Sequence, residues 1–152
     1  MPYMIEELQF RPLKAPLSNK ALEAYRKDGN LSGTRPKPSS ADARGKVQWV
    51  SVEWKAKQIG IARLELAPPE FCYLSELIIS SKFRGRGVGR WFMARIEQYC
   101  HAQGIRRLLL EAGDGTESFY KAQAFVADPL LPNLLKKDIN PFQRKMFMPA
   151  GG

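Results

Sequence analysis

The sequence predicts a mixed α/β fold, with antiparallel strands in the N-terminal half and a parallel β-α-β crossover at the centre of the sheet. Three observations predict it. A segment rich in Val and Trp, 47–54, and a partly alternating one, 59–66, flank a short polar stretch, as in a hairpin. The apolar residues between Val88 and Gln103 fall at 88, 91, 92, 96, 99 and 100, a helical period closed by Gly104. Leu108-Leu109-Leu110 is then the kind of apolar run found in a strand covered on both faces.

In chain order, residues 18–28 predict a short helix. Ser18 or Asn19 serves as its N-cap, Leu22 and Tyr25 share one face, and Gly29 stops it. Residues 29–45, with three Gly, two Pro and four Ser or Thr, read as a loop, because too little chain precedes them to fold alone. Val47–Trp54 and Ile59–Leu66 form the hairpin, turning at Lys55–Gln58. Pro68-Pro69 ends it, and Phe71–Ser80 is the third strand. Strand, helix and strand over roughly 40 residues require a crossover between parallel neighbours, expected to be right-handed. Thr116–Gln123 follows as a short helix bearing Phe119 and Tyr120. Residues 127–142 read as an irregular segment with Pro129, Pro132 and Pro141, and Gln143–Met148 as a last strand. No internal repeat interrupts the pattern, and residues 1–152 read as one domain.

Composition narrows the function. The 152 residues are 44% apolar and 26% charged, enough for an ordered core. No apolar stretch approaches the ~20 residues of a membrane span, so no membrane association is expected. The N-terminal residues show no secretory pattern, and two cysteines, Cys72 and Cys100, make no disulfide framework; the expectation is a reduced, cytoplasmic protein. The single histidine, His101, excludes a two-histidine metal site by counting, and no metal is expected. The formal charge is +9, from 24 basic and 15 acidic residues. Residues 81–107 hold seven basic residues and the lone acid Glu97, so most of the excess sits there. Such a patch suits an anionic partner (nucleic acid, a phosphorylated cofactor or a membrane surface) or is simply a solvated helix face.

Inside the patch stands Arg84-Gly85-Arg86-Gly87-Val88-Gly89-Arg90, directly before the long helix. Glycines there let backbone amides converge, and the helix N-terminus adds free N–H groups and a positive dipole end, a natural phosphate cradle. The P-loop pattern fails for want of Gly-Lys-Ser/Thr, and glycines at 85, 87 and 89 do not make the dinucleotide fingerprint.

Arg84-Gly85-Arg86-Gly87-Val88-Gly89 resembles the Arg/Gln-x-x-Gly-x-Gly/Ala signature of the GCN5-related N-acetyltransferase (GNAT) family, and Leu77-Ile78-Ile79 ends at the family's spacing before it. Phe119-Tyr120-Lys121-Ala122-Gln123-Ala124-Phe125 is similar to the family's Phe-Tyr-x-x-x-Gly-Phe segment, with Ala124 in place of glycine. Gly113-Asp114-Gly115 occupies the stretch where the family often has Asn. The resemblance covers roughly 47–148. It implies a GNAT-like acyl-CoA N-acyltransferase fold and acetyl-CoA as donor, its pyrophosphate on the amides of Gly85, Arg86, Gly87, Val88, Gly89 and Arg90, with Arg84 beside them. The pantetheine arm would lie along the backbone of Leu77, Ile78 and Ile79 where two parallel strands splay, and the Ile79 amide would polarise the acetyl carbonyl.

The resemblance places Tyr120 as the acid that protonates the leaving thiolate; otherwise Tyr120 is core. Glu76, a carboxylate within an apolar strand, must be paired, solvated or functional, and is the candidate base. Glu65 and Glu111 are rivals, and a water chain with no single base is the equal alternative. Cys72, Cys100 and the three tryptophans read as core, although one tryptophan could line the acceptor pocket. The implied activity is acetyl transfer to a primary amine of a small molecule or protein by direct attack. A basic nucleic-acid-binding module and a catalytically silent CoA-binding sensor are the alternatives. Nucleic acid is disfavoured because the helix aromatics fall on the core-facing stripe. Leu130, Leu131, Leu134 and Leu135 either cover their own sheet or form a homodimer contact.

Overall fold

A computed structural model of the chain describes residues 5–29 and 46–139. The elements are β1 (Leu8–Pro12), α1 (Asn19–Gly29), β2 (Lys46–Trp54), β3 (Lys57–Ala67), β4 (Phe71–Ile79), a 3₁₀ turn (Ser81–Phe83), α2 (Val88–Ala102), β5 (Arg107–Glu111), α3 (Glu117–Lys121), β6 (Val126–Ala127) and β7 (Leu134–Asp138). Seven strands form one sheet in the order β1-β2-β3-β4-β5-β7-β6. Only β4 and β5 run parallel, joined by α2; the other neighbours are antiparallel. This is the mixed α/β architecture the sequence predicts.

Local chemistry accounts for the elements and for two corrections. Ser18 Oγ accepts the Ala21 amide at 3.1 Å and so caps α1. The hairpin turn is shorter than expected: Lys55 and Ala56 take φ of 52° and 64°, and Lys57 and Gln58 already pair with Trp54 and Glu53. Two left-handed residues give the turn whose twist matches that of the strands, even without glycine. The second correction concerns residues 127–142. They are not irregular throughout, because β7 pairs with β5, Leu135 lying opposite Leu110. Cross-strand burial overrides the proline punctuation there. The expected strand Gln143–Met148 lies outside the described residues, as does the loop beyond Gly29.

The two faces of the sheet differ. Under α2 lies the main core, with Val50, Leu64, Leu74, Phe92, Ile96 and Leu110 fully buried. Burial of side chains such as Phe92 and Ile96 contributes about 1.5–3 kcal/mol each. On the opposite face Trp49, Ile61 and Ile78 pack against Leu22 and Tyr25 of α1. β4 carries a bulge: Arg63 faces Glu76 while Leu64 faces Leu74, leaving Ser75 as the extra residue. Side chains before the bulge at 72 and 74, and after it at 77 and 79, therefore reach the same α2 face. The four leucines divide: Leu135 is buried, while Leu130 and Leu131 are 87% and 61% exposed.

Candidate active site

The parallel ladder between β4 and β5 is short. Cys72 pairs with Leu108 and Tyr73 with Leu109, and β4 then runs on to Ile79 without a partner on that side among the described residues. The Ser75 bulge sits where the pairing stops, and the added twist bends the strands apart. On the other side, the Ser80 amide donates to the Ile59 carbonyl at 2.8 Å. Antiparallel pairing alternates, so Leu77 and Ile79 turn their N–H and C=O groups toward the open side. Arg84 Nε donates to the Ile79 carbonyl there at 3.1 Å.

A cavity of about 500 Å³ opens in this gap. That size suits a small-molecule site. Leu77 and Ile79 form one wall, Arg84, Gly85, Gly87, Gly89 and Arg90 a second. The third consists of Gly115, Thr116, Phe119 and Tyr120. Gly85 and Gly87 have φ of 73° and 84°, a conformation that strongly favours glycine, and Gly87 caps α2. The first-turn amides of α2 thus face the cavity mouth beside two guanidinium groups. Gly89 meets a different constraint: a Cβ there would lie 3.2 Å from the Phe119 ring, which would have to give by a few tenths of an ångström.

Tyr120 closes the inner end. Its hydroxyl is fully buried, with no hydrogen-bond partner among the described residues. Burial pushes its pKa well above the usual phenol value, so the proton stays on. An orphaned buried donor beside an amide-rich mouth fits a ligand with phosphates at one end and an acceptor atom at the other.

The predicted residues do not all converge. Leu77, Ile79, Arg84, Gly85, Gly87, Gly89, Arg90 and Tyr120 line the cavity. The side chain of Ile78 lies in the α1-side cluster and that of Val88 in the main core, so each offers only its backbone. Arg86 points away, its guanidinium 6.0 Å from the centre of the Phe83 ring. Glu76 is buried on the α1 side, and Arg26 donates to both its oxygens, at 2.7 and 2.8 Å. Of its rivals, Glu65 pairs with Arg63, and Glu111 interacts with Tyr73. Cys72 and Cys100 are buried, and hydrogen bonding to Cys100, with burial, pushes the Cys72 thiol up. His101 is exposed near the far end of α2. Sequence reasoning missed Gly115, Thr116 and Phe119, although Phe119 adjoins Tyr120 in the motif, and it had no signal for Arg26.

Other cavities among the described residues include an open groove of about 600 Å³ between β1 and α2 and one of about 360 Å³ beside α1. The glycine loop and the orphaned hydroxyl belong to neither.

A model of the acetyltransferase (GNAT) family matches residues 6–125, most of the chain. Solved structures share the fold. A Desulfovibrio desulfuricans protein assigned to the GNAT family is 16% identical, with a TM-score of 0.67 over 87% of this chain and 99% of that one. The ribosomal-protein-S18-alanine N-acetyltransferase of Escherichia coli is 13% identical, with a TM-score of 0.58 over 88% of this chain and 94% of that one. A GNAT family acetyltransferase of Elizabethkingia anophelis, solved with acetyl-CoA bound, is 12% identical, with a TM-score of 0.56 over 88% of this chain and 99% of that one.

Proposed function

The chain belongs to the GNAT acetyltransferase family, and from that premise we propose that it transfers an acetyl group from acetyl-CoA to a primary amine of a small molecule or protein by direct attack. The observation that carries this reading is the cavity between β4 and β5, which joins a helix N-terminal glycine loop to the buried, unpartnered Tyr120 hydroxyl.

In this reading the amides of Gly85 to Arg90, flanked by Arg84 and Arg90, hold the pyrophosphate, and the open backbone of Leu77 and Ile79 holds the pantetheine arm. The donor supplies an activated acetyl carbon. The chain's own part is electrostatic and geometric. The Ile79 N–H, turned into the gap, stabilises negative charge on the acetyl oxygen. Tyr120 donates its proton to the departing sulfur as the C–N bond forms and the C–S bond breaks, and the proton released by the amine returns through water. Glu76 has both oxygens engaged by Arg26, which supports the reading without a dedicated carboxylate base and gives Glu76 a positioning role.

A screen of amines and polyamines with acetyl-CoA, read by release of free thiol, tests the proposal. Amine-dependent thiol release supports it. Tight acetyl-CoA binding with no turnover on any amine would instead favour a CoA-binding sensor.

We further read residues 1–152 as one domain acting in a reducing, cytoplasmic compartment, with no nucleic-acid partner. The buried free thiols support the compartment, and the placement of Arg84 and Arg90 on the cavity supports an anionic small-molecule ligand for the basic segment. The exposed Leu130 and Leu131, beside the half-exposed edge strand β6, are the candidate homodimer contact. Light scattering of the wild type against Leu131→Glu checks it: a monomer mass of about 17 kDa at every micromolar concentration rules the dimer out.

A further inference from the structure

The last turn of α1 grips both ends of the stretch of β4 that faces the cavity. Arg26 holds Glu76, the residue before Leu77. Asp28, two residues on, holds Ser81, two residues beyond Ile79: its Oδ2 accepts the Ser81 amide at 2.9 Å and its Oδ1 the Ser81 hydroxyl at 2.7 Å. Ser81 opens the 3₁₀ turn that delivers Arg84 and Gly85, and the residue before it, Ser80, makes no side-chain capping bond. The first amides of any helical turn lack partners within it. Here one of them is capped from a different helix, more than fifty residues earlier in the chain.

We propose that Asp28 is a positioning residue for the donor-binding loop, fixing through Ser81 the path by which Arg84 and the glycines reach the cavity mouth. The inference rests on the reading of residues 84–90 as the pyrophosphate cradle. A carboxylate close to an anion site repels the ligand, so on charge alone Asp28 would weaken donor binding. Its two hydrogen bonds to Ser81 point the other way: they stiffen the turn before the ligand arrives and so remove part of the ordering cost of binding. The contact is solvent-exposed, which makes it cheap for global stability and separable from it.

The experiment compares Asp28→Ala, Asp28→Asn, Ser81→Ala and the Asp28→Ala/Ser81→Ala double variant in the full chain, using acetyl-CoA titration calorimetry, steady-state kinetics and thermal melts. Loss of a charge-assisted pair of hydrogen bonds is expected to raise both Kd and KM for acetyl-CoA about three- to tenfold in Asp28→Ala. kcat and Tm should stay close to wild type. Asp28→Asn, which keeps one acceptor, recovers part of the loss. The double variant is no worse than Asp28→Ala, because both changes remove the same contact. Unchanged or tighter acetyl-CoA binding in Asp28→Ala overturns the inference, and so does a loss of Tm and kcat in step with affinity, which would mark a purely structural role. A wild-type protein that binds no acetyl-CoA would overturn the underlying reading instead, so the two failures are distinguishable.

Discussion

Arg26 and Glu76 meet across fifty residues of sequence through two parallel hydrogen bonds of 2.7 and 2.8 Å. Glu76 is 2% exposed, whereas the Arg26 side chain is 45% exposed. Among the described residues Arg26 is the charged group that pairs with this buried carboxylate, while the guanidinium keeps a share of water. Neighbouring contacts raise the Arg26 pKa, the hydrogen bond to Glu76 first among them.

Arg26→Gln should therefore cost about 2–3 kcal/mol of stability, below the roughly 3–5 kcal/mol of a fully buried pair, because water reaches the arginine side. Chemical denaturation measures it. Replacing both residues by Met should recover most of the loss, since no buried charge is then left unpaired. A double variant as weak as Arg26→Gln would mean that the helix contact, not the charge, is what matters.

Tyr120→Phe separates chemistry from stability. Its hydroxyl has no hydrogen-bond partner among the described residues, so removing it should leave the melting temperature unchanged or slightly raised, while kcat falls about tenfold or more. The pH dependence carries a sign. Burial raises the folded pKa above the unfolded value of 10.0, so this contribution to stability is complete below pH 10 and is lost as pH rises beyond it. Between pH 10 and the folded pKa the wild type should lose up to about 1.4 kcal/mol per pH unit from this one phenol, a slope absent in Tyr120→Phe.

Gly87→Asp puts a side chain and a negative charge at the mouth of the amide cradle. The nearest atom to the new Cβ is 3.6 Å away, so packing survives, but φ of +84° strains any residue with a Cβ. Acetyl-CoA affinity should fall by at least about tenfold in a protein that still folds, checked by calorimetry beside circular dichroism.

Ala124→Gly should stabilise the protein. α3 ends with Phe125 N–H donating to the Tyr120 carbonyl at 3.2 Å and Ala124 N–H to the Lys121 carbonyl at 3.1 Å, and Ala124 has φ of 75°. Gly104 ends α2 by the same pattern at φ of 81°. The alanine carries a left-handed penalty that the glycine avoids, so about 0.5–1 kcal/mol is recoverable at 124, and a similar loss is expected for Gly104→Ala. Equal unfolding midpoints at 124 would place the strain elsewhere.

Much of this site was legible because its signals are local. Gly85, Gly87 and Gly89 announce a tight backbone approach by their spacing, and the helical period from Val88 puts them at a helix N-terminus. The expected splay between the strands at Leu77–Ile79 corresponds to the end of the β4–β5 ladder at Tyr73 and Leu109. What could not be read is what depends on distant parts of the chain. Glu76 showed its need of a partner by its apolar surroundings, yet nothing near Arg26 identified that partner. The bulge at Ser75 has no signature in Leu74-Ser75-Glu76, and without it alternation alone places Glu76 and Ile78 on the wrong face. β7 was hidden because Pro129 and Pro132 dominate the local pattern, whereas pairing with β5 decides the outcome.

That extra residue in β4 makes the strand sensitive to its own length. Surface loops on this chain can gain or lose residues at small entropic cost. Loss of Ser75 would leave plain alternation, which keeps Leu74, Leu77 and Ile79 beneath α2 but removes the local bend that parts β4 from β5. The count of residues in this stretch thus bears on the opening between the two strands more than on the core, and a chain lacking Ser75 should keep its fold while the gap beside Leu77 and Ile79 narrows.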